Sequence, residues 1–305
     1  MTDRLLVDYT DRVAVVTGAG GGLGREHALL LASLGAAVVV NDVGGDVHGA
    51  GSAAGAAQVV VDEIAAAGGI AVADDHSVAD PEGAAAIVER AVSEFGRVDV
   101  VVNNAGILRD KSFANLTWPD LDAVIDVHLK AAFLVTRPAF LHMKEQGYGR
   151  VVLTSSGSGI MGNFGQSNYG AAKMGLVGMM NVLKLEGARY GINVNAVAPI
   201  AATRMTVDLL GDSASRFHPS QVAPAVAFLG SEACTFTGEV WSVGGGSVSR
   251  FFTGLTPGWF KHPSHGQLTV DEVVANIDTI RAEPGYLVPF SAADEFAKLE
   301  ALFRG

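Results

Sequence analysis

The chain has 305 residues, 49% of them apolar and 17% charged, and its 21 basic residues against 32 acidic ones give a net charge of −11. That composition excludes a disordered or coiled-coil chain, and the charge repels nucleic acid and anionic membrane surfaces, so an anionic ligand has to be met by local groups. The lone cysteine, Cys234, excludes an internal disulfide and a thiolate metal cluster, fits a reducing compartment and reads as a small buried filler.

The opening segment MTDRLLVDYTDR lacks the basic stretch, apolar core and small-residue cleavage site of a secretory signal, and no apolar window reaches the ~18 residues of a membrane span. The closing LFRG is not a peroxisomal address, so the expectation is a soluble cytoplasmic protein. From residue 12 onward, apolar runs alternate with helical patterns: RVAVVT, then LGREHALLLASLG, then AAVVVND, then AAGAAQVVVDEIAAAGG. The runs VDVVVNN (98–104), RVVLTSS (150–156) and INVNAVAP (192–199) continue the series. Strands that are apolar throughout are buried on both faces, which predicts an α/β fold with a doubly wound, mostly parallel sheet of Rossmann type. Near residue 250 the texture turns aromatic, basic and turn-rich, and TVDEVVANIDTIRA then reads as one acidic helix with Thr269 as its N-cap. Residues 1–250 are therefore expected to form the α/β domain. Residues 251–305 read as a C-terminal extension packed on it, too small for a core of its own.

Five glycines crowd the stretch TGAGGGLG, residues 17–24, between the first strand and the first helix. Such a turn costs backbone entropy, and what offsets it is a bare backbone that approaches a ligand and a helix N-terminus that offers N–H groups to a pyrophosphate. Asp42 ends the second strand, where a carboxylate can bond both hydroxyls of an adenosine ribose; its competing role is to start a turn. Neither Gly20, Gly21 nor Val43 supplies a cation for a 2′-phosphate, so NAD is preferred to NADP. Tyr169 and Lys173 stand four apart on one expected helix and share a face. A tyrosine with the ordinary pKa of ~10 transfers protons poorly at neutral pH, and an adjacent ammonium favours its phenolate, so the pair reads as a tuned acid and base.

The pattern Thr17, Gly18, Gly22, Gly24, together with NNAG (103–106), Ser156 and YGAAK (169–173), resembles the short-chain dehydrogenase/reductase family over roughly residues 10–248. The resemblance implies an enzyme that moves hydride between a secondary alcohol and NAD. It implies catalysis by Ser156, Tyr169 and Lys173, with Ser156 chosen over Ser155 by its interval to the tyrosine and also holding substrate. It implies cofactor contacts from Gly18, Gly22, Leu23, Gly24, Asp42, Ser77, Val78, Asn104, Ala105, Gly106, Tyr169, Lys173, Ala201 and Thr203. Two positions depart from the family: His76 replaces an acid beside the adenine, and His128 replaces an asparagine, where it either relays protons or packs against the active-site helix.

Within the family, NDVGGDVHGAGS, NNAGILRDKSF and TSSGSGIMGNFGQSNYGAAK are similar to the branch that oxidises (3R)-hydroxyacyl-CoA. The expected substrate is thus a CoA thioester, with a hydroxysteroid or steroid-derived acyl-CoA as the alternative. Arg109, Lys111 or Arg250 either forms a landing patch for the CoA or is a solvated loop charge. A reading from another class is a non-catalytic NAD-binding sensor or scaffold, against which the intact Ser156, Tyr169 and Lys173 argue. His262 and His265 lack further ligands at metal spacing, so no metal is expected. The family also implies a homo-oligomer, with a dimer favoured, while the acidic charge argues against a nucleic-acid or membrane partner.

Overall fold

Every residue of β1 (Val13–Thr17) is buried, because helices cover both faces of the sheet it centres. The computed structural model describes residues 7–49, 51, 55–207 and 211–304. It divides into two compact units, Met1–Arg250 and Phe251–Gly305. In the first unit β1 is followed by α1 (Gly22–Ser33), β2 (Ala37–Asn41), α2 (Ala56–Ala66), β3 (Ile70–Asp74), α3 (Pro81–Phe95) and β4 (Val100–Asn103). Then come α4 (Trp118–Ile125), α5 (Ala131–Gln146), β5 (Gly149–Thr154), α6 (Gly157–Ile160), α7 (Ser167–Gly187) and β6 (Ile192–Pro199). The unit ends with α8 (Ala223–Leu229), β7 (Val240–Gly244) and β8 (Ser247–Phe251). The sheet order is β3-β2-β1-β4-β5-β6-β7-β8, and β1 to β7 pair in parallel. The order reverses between β1 and β4, which opens a crevice at the carboxyl ends of these strands.

Local sequence explains where several elements start and stop. Asp80 caps α3 by accepting from Gly83 N–H (2.7 Å), Pro81 opens the helix, and Gly96 closes it at φ 78°. Gly245 and Gly246, at φ 58° and 80°, form the two-residue turn that returns β7 into β8, a hairpin the sequence reading did not foresee. Two long-range ties lock the unit. The buried Tyr9 hydroxyl donates to Ala227 O (2.5 Å). The fully buried Asp99 accepts from Val13 N–H (2.9 Å), from Arg97 (2.6 and 2.7 Å) and from Arg12 (3.2 Å). Cys234 is buried and free.

In the second unit Thr269 caps α9 (Val270–Ala275) in a reciprocal pair with Glu272. The helix expected to run on through residue 282 instead breaks at Asn276, whose side chain donates to Glu272 O (2.8 Å) and competes with the backbone ladder. A second short helix, α10 (Ile277–Arg281), and then α11 (Ala292–Leu302) complete the unit. Its rings pack as pairs, Phe252 on Tyr286 (5.6 Å) and Phe260 on Phe303 (5.3 Å). Among the described residues, no helix is long and apolar enough to cross a membrane.

Candidate active site

The glycine turn between β1 and α1 is shaped by close approach. A Cβ on Gly18, at φ 63°, would lie 2.7 Å from Ala105 Cα, and one on Gly24 would overlap the Gly18 carbonyl oxygen. A Cβ on Gly21, in contrast, would meet open space. Gly21 is the N-cap of α1 with no capping side chain, and no acid occupies the first turn, so the helix supplies no side-chain acceptor of its own for its first backbone N–H groups. These features fit a pyrophosphate. Leu23 is half-buried against the core, and the Thr203 methyl would sit 3.6 Å from a Cβ on Gly22, which brings Thr203 to the far wall of the turn. Ala201 is buried below it. Thr17 ties the turn to the loop after β4: its hydroxyl accepts from Asn104 N–H (3.0 Å) and Ala105 N–H (3.2 Å), while Asn104 Nδ2 donates to Thr17 O (2.9 Å).

Asp42 plays the turn-starting role in full. One carboxylate oxygen accepts from Gly20 N–H (2.8 Å) and the other from Gly44 N–H (2.7 Å). Each oxygen keeps a lone pair, so a ribose contact is compatible with this arrangement. At the end of β3 the departure at His76 has a built support that sequence reasoning missed. The buried Asp74 carboxylate holds His76 Nδ1 (3.0 Å) and His76 N–H (3.1 Å), and it also accepts from Asn41 Nδ2 (2.8 Å). This bond to Asp74 raises the imidazole pKa above its ordinary value. Ser77 turns its hydroxyl to Ala79 N–H (3.3 Å), while Val78 lines a cleft shared with Thr17, Ala105, His128 and Lys173.

Ser156, Tyr169 and Lys173 come together at the carboxyl end of β5, where α7 passes. Ser155 is buried with its hydroxyl on Lys173 O (2.9 Å), which ties β5 to α7. Ser156 is the half-buried member; its hydroxyl caps α6 by accepting from Ser158 N–H (3.1 Å), and it acts on the Tyr169 phenol by lowering that group's pKa. Lys173 is 3% exposed, and its Nζ donates to Thr154 O (2.6 Å) and lies 5.4 Å from the Tyr169 ring centre. Burial pushes its pKa down to about 7.

The expectation of a phenol tuned downward by the lysine is corrected here. Burial pushes the Tyr169 pKa up, the Ser156 hydrogen bond pulls it partly back, and Asp110 pushes it up again. Lys173 directs its proton to the Thr154 carbonyl, and burial disfavours its charge, so it gives the phenolate little support.

His128 stands in a π-helical turn, Asp126–Lys130, inserted between α4 and α5, a distortion that no residue pattern announces. The ring is 4% exposed and meets Tyr169 edge-on, with ring centres 5.1 Å apart. Its Nε2 lies 3.0 Å from Ile107 N and 2.8 Å from Ile107 O. A single ring nitrogen cannot serve both: protonated it donates to the carbonyl, and bare it accepts from the N–H. Burial, with the Lys173 charge adding to it, holds the imidazole pKa well below its ordinary value, so the ring is neutral. A Cβ on Gly106 would overlap the ring, which explains glycine at that position.

The candidate landing charges all have acidic partners. Lys111 (2.7 Å) and Arg109 (3.8 Å) share Asp120, and Arg250 pairs with Glu239 (2.7 Å). Among the described residues, no group of three or more His, Cys, Asp or Glu side chains is placed to hold a metal ion.

Comparison with known proteins gives the same picture. The profile of the short chain dehydrogenase family matches residues 12–212. A Mycobacterium tuberculosis protein described as a short-chain type dehydrogenase/reductase is 56% identical over 241 residues, 79% of this chain and 84% of its own. The peroxisomal multifunctional enzyme type 2 of Drosophila melanogaster is 54% identical over 232 residues, which are 76% of this chain but 38% of that enzyme. Its solved full-length structure superposes with a TM-score of 0.82 at 38% identity, over 98% of this chain and 50% of the larger one. A hydroxyacyl-CoA dehydrogenase of M. tuberculosis is 40% identical over 262 residues, 79% of this chain and 80% of its own. The glycine turn and the serine, tyrosine and lysine gathered at β5 thus have a family context: the chain belongs to the short chain dehydrogenases, oxidoreductases that act on CH–OH groups with a nicotinamide dinucleotide.

Proposed function

We propose that the chain oxidises a (3R)-hydroxyacyl-CoA to the 3-ketoacyl-CoA with NAD as cofactor. The observation that carries the reading is the convergence of Ser156, Tyr169 and Lys173 beside a glycine turn that has room for a pyrophosphate. The names of the hydroxyacyl-CoA dehydrogenase relative and of the multifunctional enzyme support the substrate class. Asp42, with glycines and a valine around it, supports NAD over its 2′-phosphorylated form, because a carboxylate repels that phosphate.

The glycine turn and the α1 N-terminus would hold the pyrophosphate, Asp42 the adenosine ribose, Asn104 to Gly106 the nicotinamide side, and Lys173 its ribose. The bound dinucleotide supplies the hydride acceptor. Ser156 holds the alcohol oxygen, and Tyr169 takes the hydroxyl proton as the carbon gives up its hydrogen with the bonding pair. In the reverse direction the neutral phenol returns that proton. His128 is neutral and packed on Gly106 and Tyr169, so it acts as a positioning residue rather than as a charged relay. A homodimer is part of the reading, supported by the exposed apolar side chains Phe133 and Leu141 on α5 and Met174, Val182 and Leu185 on α7.

The test is NADH production with NAD or NADP against (3R)- and (3S)-hydroxyacyl-CoA and steroid alcohols. Preference for the (3S) esters overturns the substrate assignment, and preference for steroid alcohols replaces it. Tyr169→Phe is expected to bind NAD and to lose turnover. Retained turnover removes the phenol from the mechanism, and an unchanged response in a protein that never turns over points to a sensor.

A further inference from the structure

The glycine-rich stretch after Asp42 has no part in the chemistry above, yet its first half is tied down in a revealing place. Leu108 N–H donates to Val47 O (2.8 Å), His48 Nδ1 pairs with Leu108 O (3.1 Å), and Arg109 Nε donates to His48 O (3.0 Å). A Cβ on Gly49 would lie 3.1 Å from Ile107 Cγ2, so the backbone there rests on that side chain. One end of the segment therefore starts at β2 and the other is fastened to the loop that leaves β4.

In the sheet, β1 lies between β2 and β4. Two inter-strand spacings make the span about 10 Å, within reach of a few extended residues. Val43–Gly49 thus bridges the carboxyl end of β1, which is the end that carries the glycine turn. Its foot is Asp42, whose carboxylate holds both Gly20 of that turn and Gly44 of the bridge. Gly44 and Gly49, at φ 72° and 78°, give it hinges at either side. The two latch bonds made by side chains, from His48 and Arg109, are solvent-exposed, so they open at low cost.

Beyond the latch lies the reacting centre. The Ile107 backbone faces His128 Nε2, and Arg109 O accepts from Asn168 Nδ2 (3.1 Å), while Asn168 Oδ1 takes the Tyr169 N–H (2.8 Å). We propose that Val43–Gly49 is a strap closed over the dinucleotide and latched to Leu108 and Arg109, so that cofactor enters and leaves only when the latch opens. The proposal rests on the reading that the glycine turn holds a dinucleotide. Strap closure also steadies the loop beside Tyr169.

The test follows NADH release by fluorescence after rapid mixing with excess NAD. The double variant H48A/R109Q removes both side-chain latches and is expected to speed release about tenfold, in line with the loss of two exposed hydrogen bonds. The double variant V47C/L108C, in a chain whose one other cysteine is buried, locks the strap on oxidation. It is expected to slow NADH entry and release more than about tenfold, with dithiothreitol restoring both. Wild-type release rates from H48A/R109Q and from oxidised V47C/L108C overturn the strap, as does failure of the two cysteines to cross-link. If the wild-type protein binds no NADH, the dinucleotide reading itself fails; if it binds and the variants change nothing, only the strap fails.

Discussion

His27 lies on the buried face of α1 and is 1% exposed, and neither ring nitrogen has a protein partner. Burial pushes its pKa down from 6.5 to about 3. The unfolded chain therefore takes up a proton near pH 6.5 that the folded chain refuses until about pH 3. Stability from this residue is complete above pH 6.5 and is lost as pH falls toward the folded value. At about 1.4 kcal/mol per pH unit, the loss is about 3 kcal/mol by pH 4 and about 5 kcal/mol by pH 3, against a total stability of about 5–15 kcal/mol. His27→Leu removes the titration and keeps an apolar side chain of similar size. Urea unfolding followed by circular dichroism from pH 7.5 down to 4 measures both proteins. Their free-energy difference is expected to be flat above pH 7 and to widen in favour of the variant by about 1.4 kcal/mol per unit below pH 6. Curves that stay parallel across that range refute the reasoning, because they mean that the native site accepts the proton as readily as water does.

Gly106→Ala forces a methyl into the His128 ring, and thermal unfolding is expected to show a loss of about 1–3 kcal/mol together with loss of turnover. The two adjacent serines separate fold from chemistry. Ser155→Ala is expected to cost about 1 kcal/mol of stability through its bond to Lys173 O, and Ser156→Ala about as much through the lost cap of α6, but only Ser156→Ala lowers kcat by about a hundredfold or more. Because the Tyr169 pKa is raised, initial rates of alcohol oxidation are expected to climb with pH from neutral into the alkaline range, while ketone reduction stays level until the phenol ionises. An oxidation rate that levels off below neutral pH contradicts that direction.

The strands were legible because burial on both faces makes them mostly apolar: INVNAVAP is β6 to the residue, with Asn193 and Asn195 as its polar exceptions, and VAVVT is β1. The tyrosine and lysine were legible because YGAAK falls in the family's register and helical spacing places the two on one face. What sequence could not show depends on tertiary geometry. The π-helical turn that aims His128 arises in the middle of an unbroken helical pattern, and Asp74 reads as an ordinary strand end until Asn41 and His76 close around it. The downward tuning of the phenol failed for a related reason: a four-residue interval sets proximity, but burial and the Thr154 carbonyl decide where the lysine proton goes. Asn276 broke a helix that periodicity would have carried through, since its side chain has a nearer partner in Glu272 O.

The tie from Tyr9 to Ala227 joins positions 218 residues apart. On a ribosome, the tyrosine emerges long before the helix that satisfies its hydroxyl has been made. Loop closure over that distance must come late in assembly, and the sheet grows in chain order from β1 through β4, β5 and β6 to β7, each strand leaving its far edge uncovered until the next has emerged. For most of its synthesis the nascent chain therefore carries an open, apolar strand edge, and the price of a head-to-tail lock is a long interval of exposure to chaperones and to neighbouring chains.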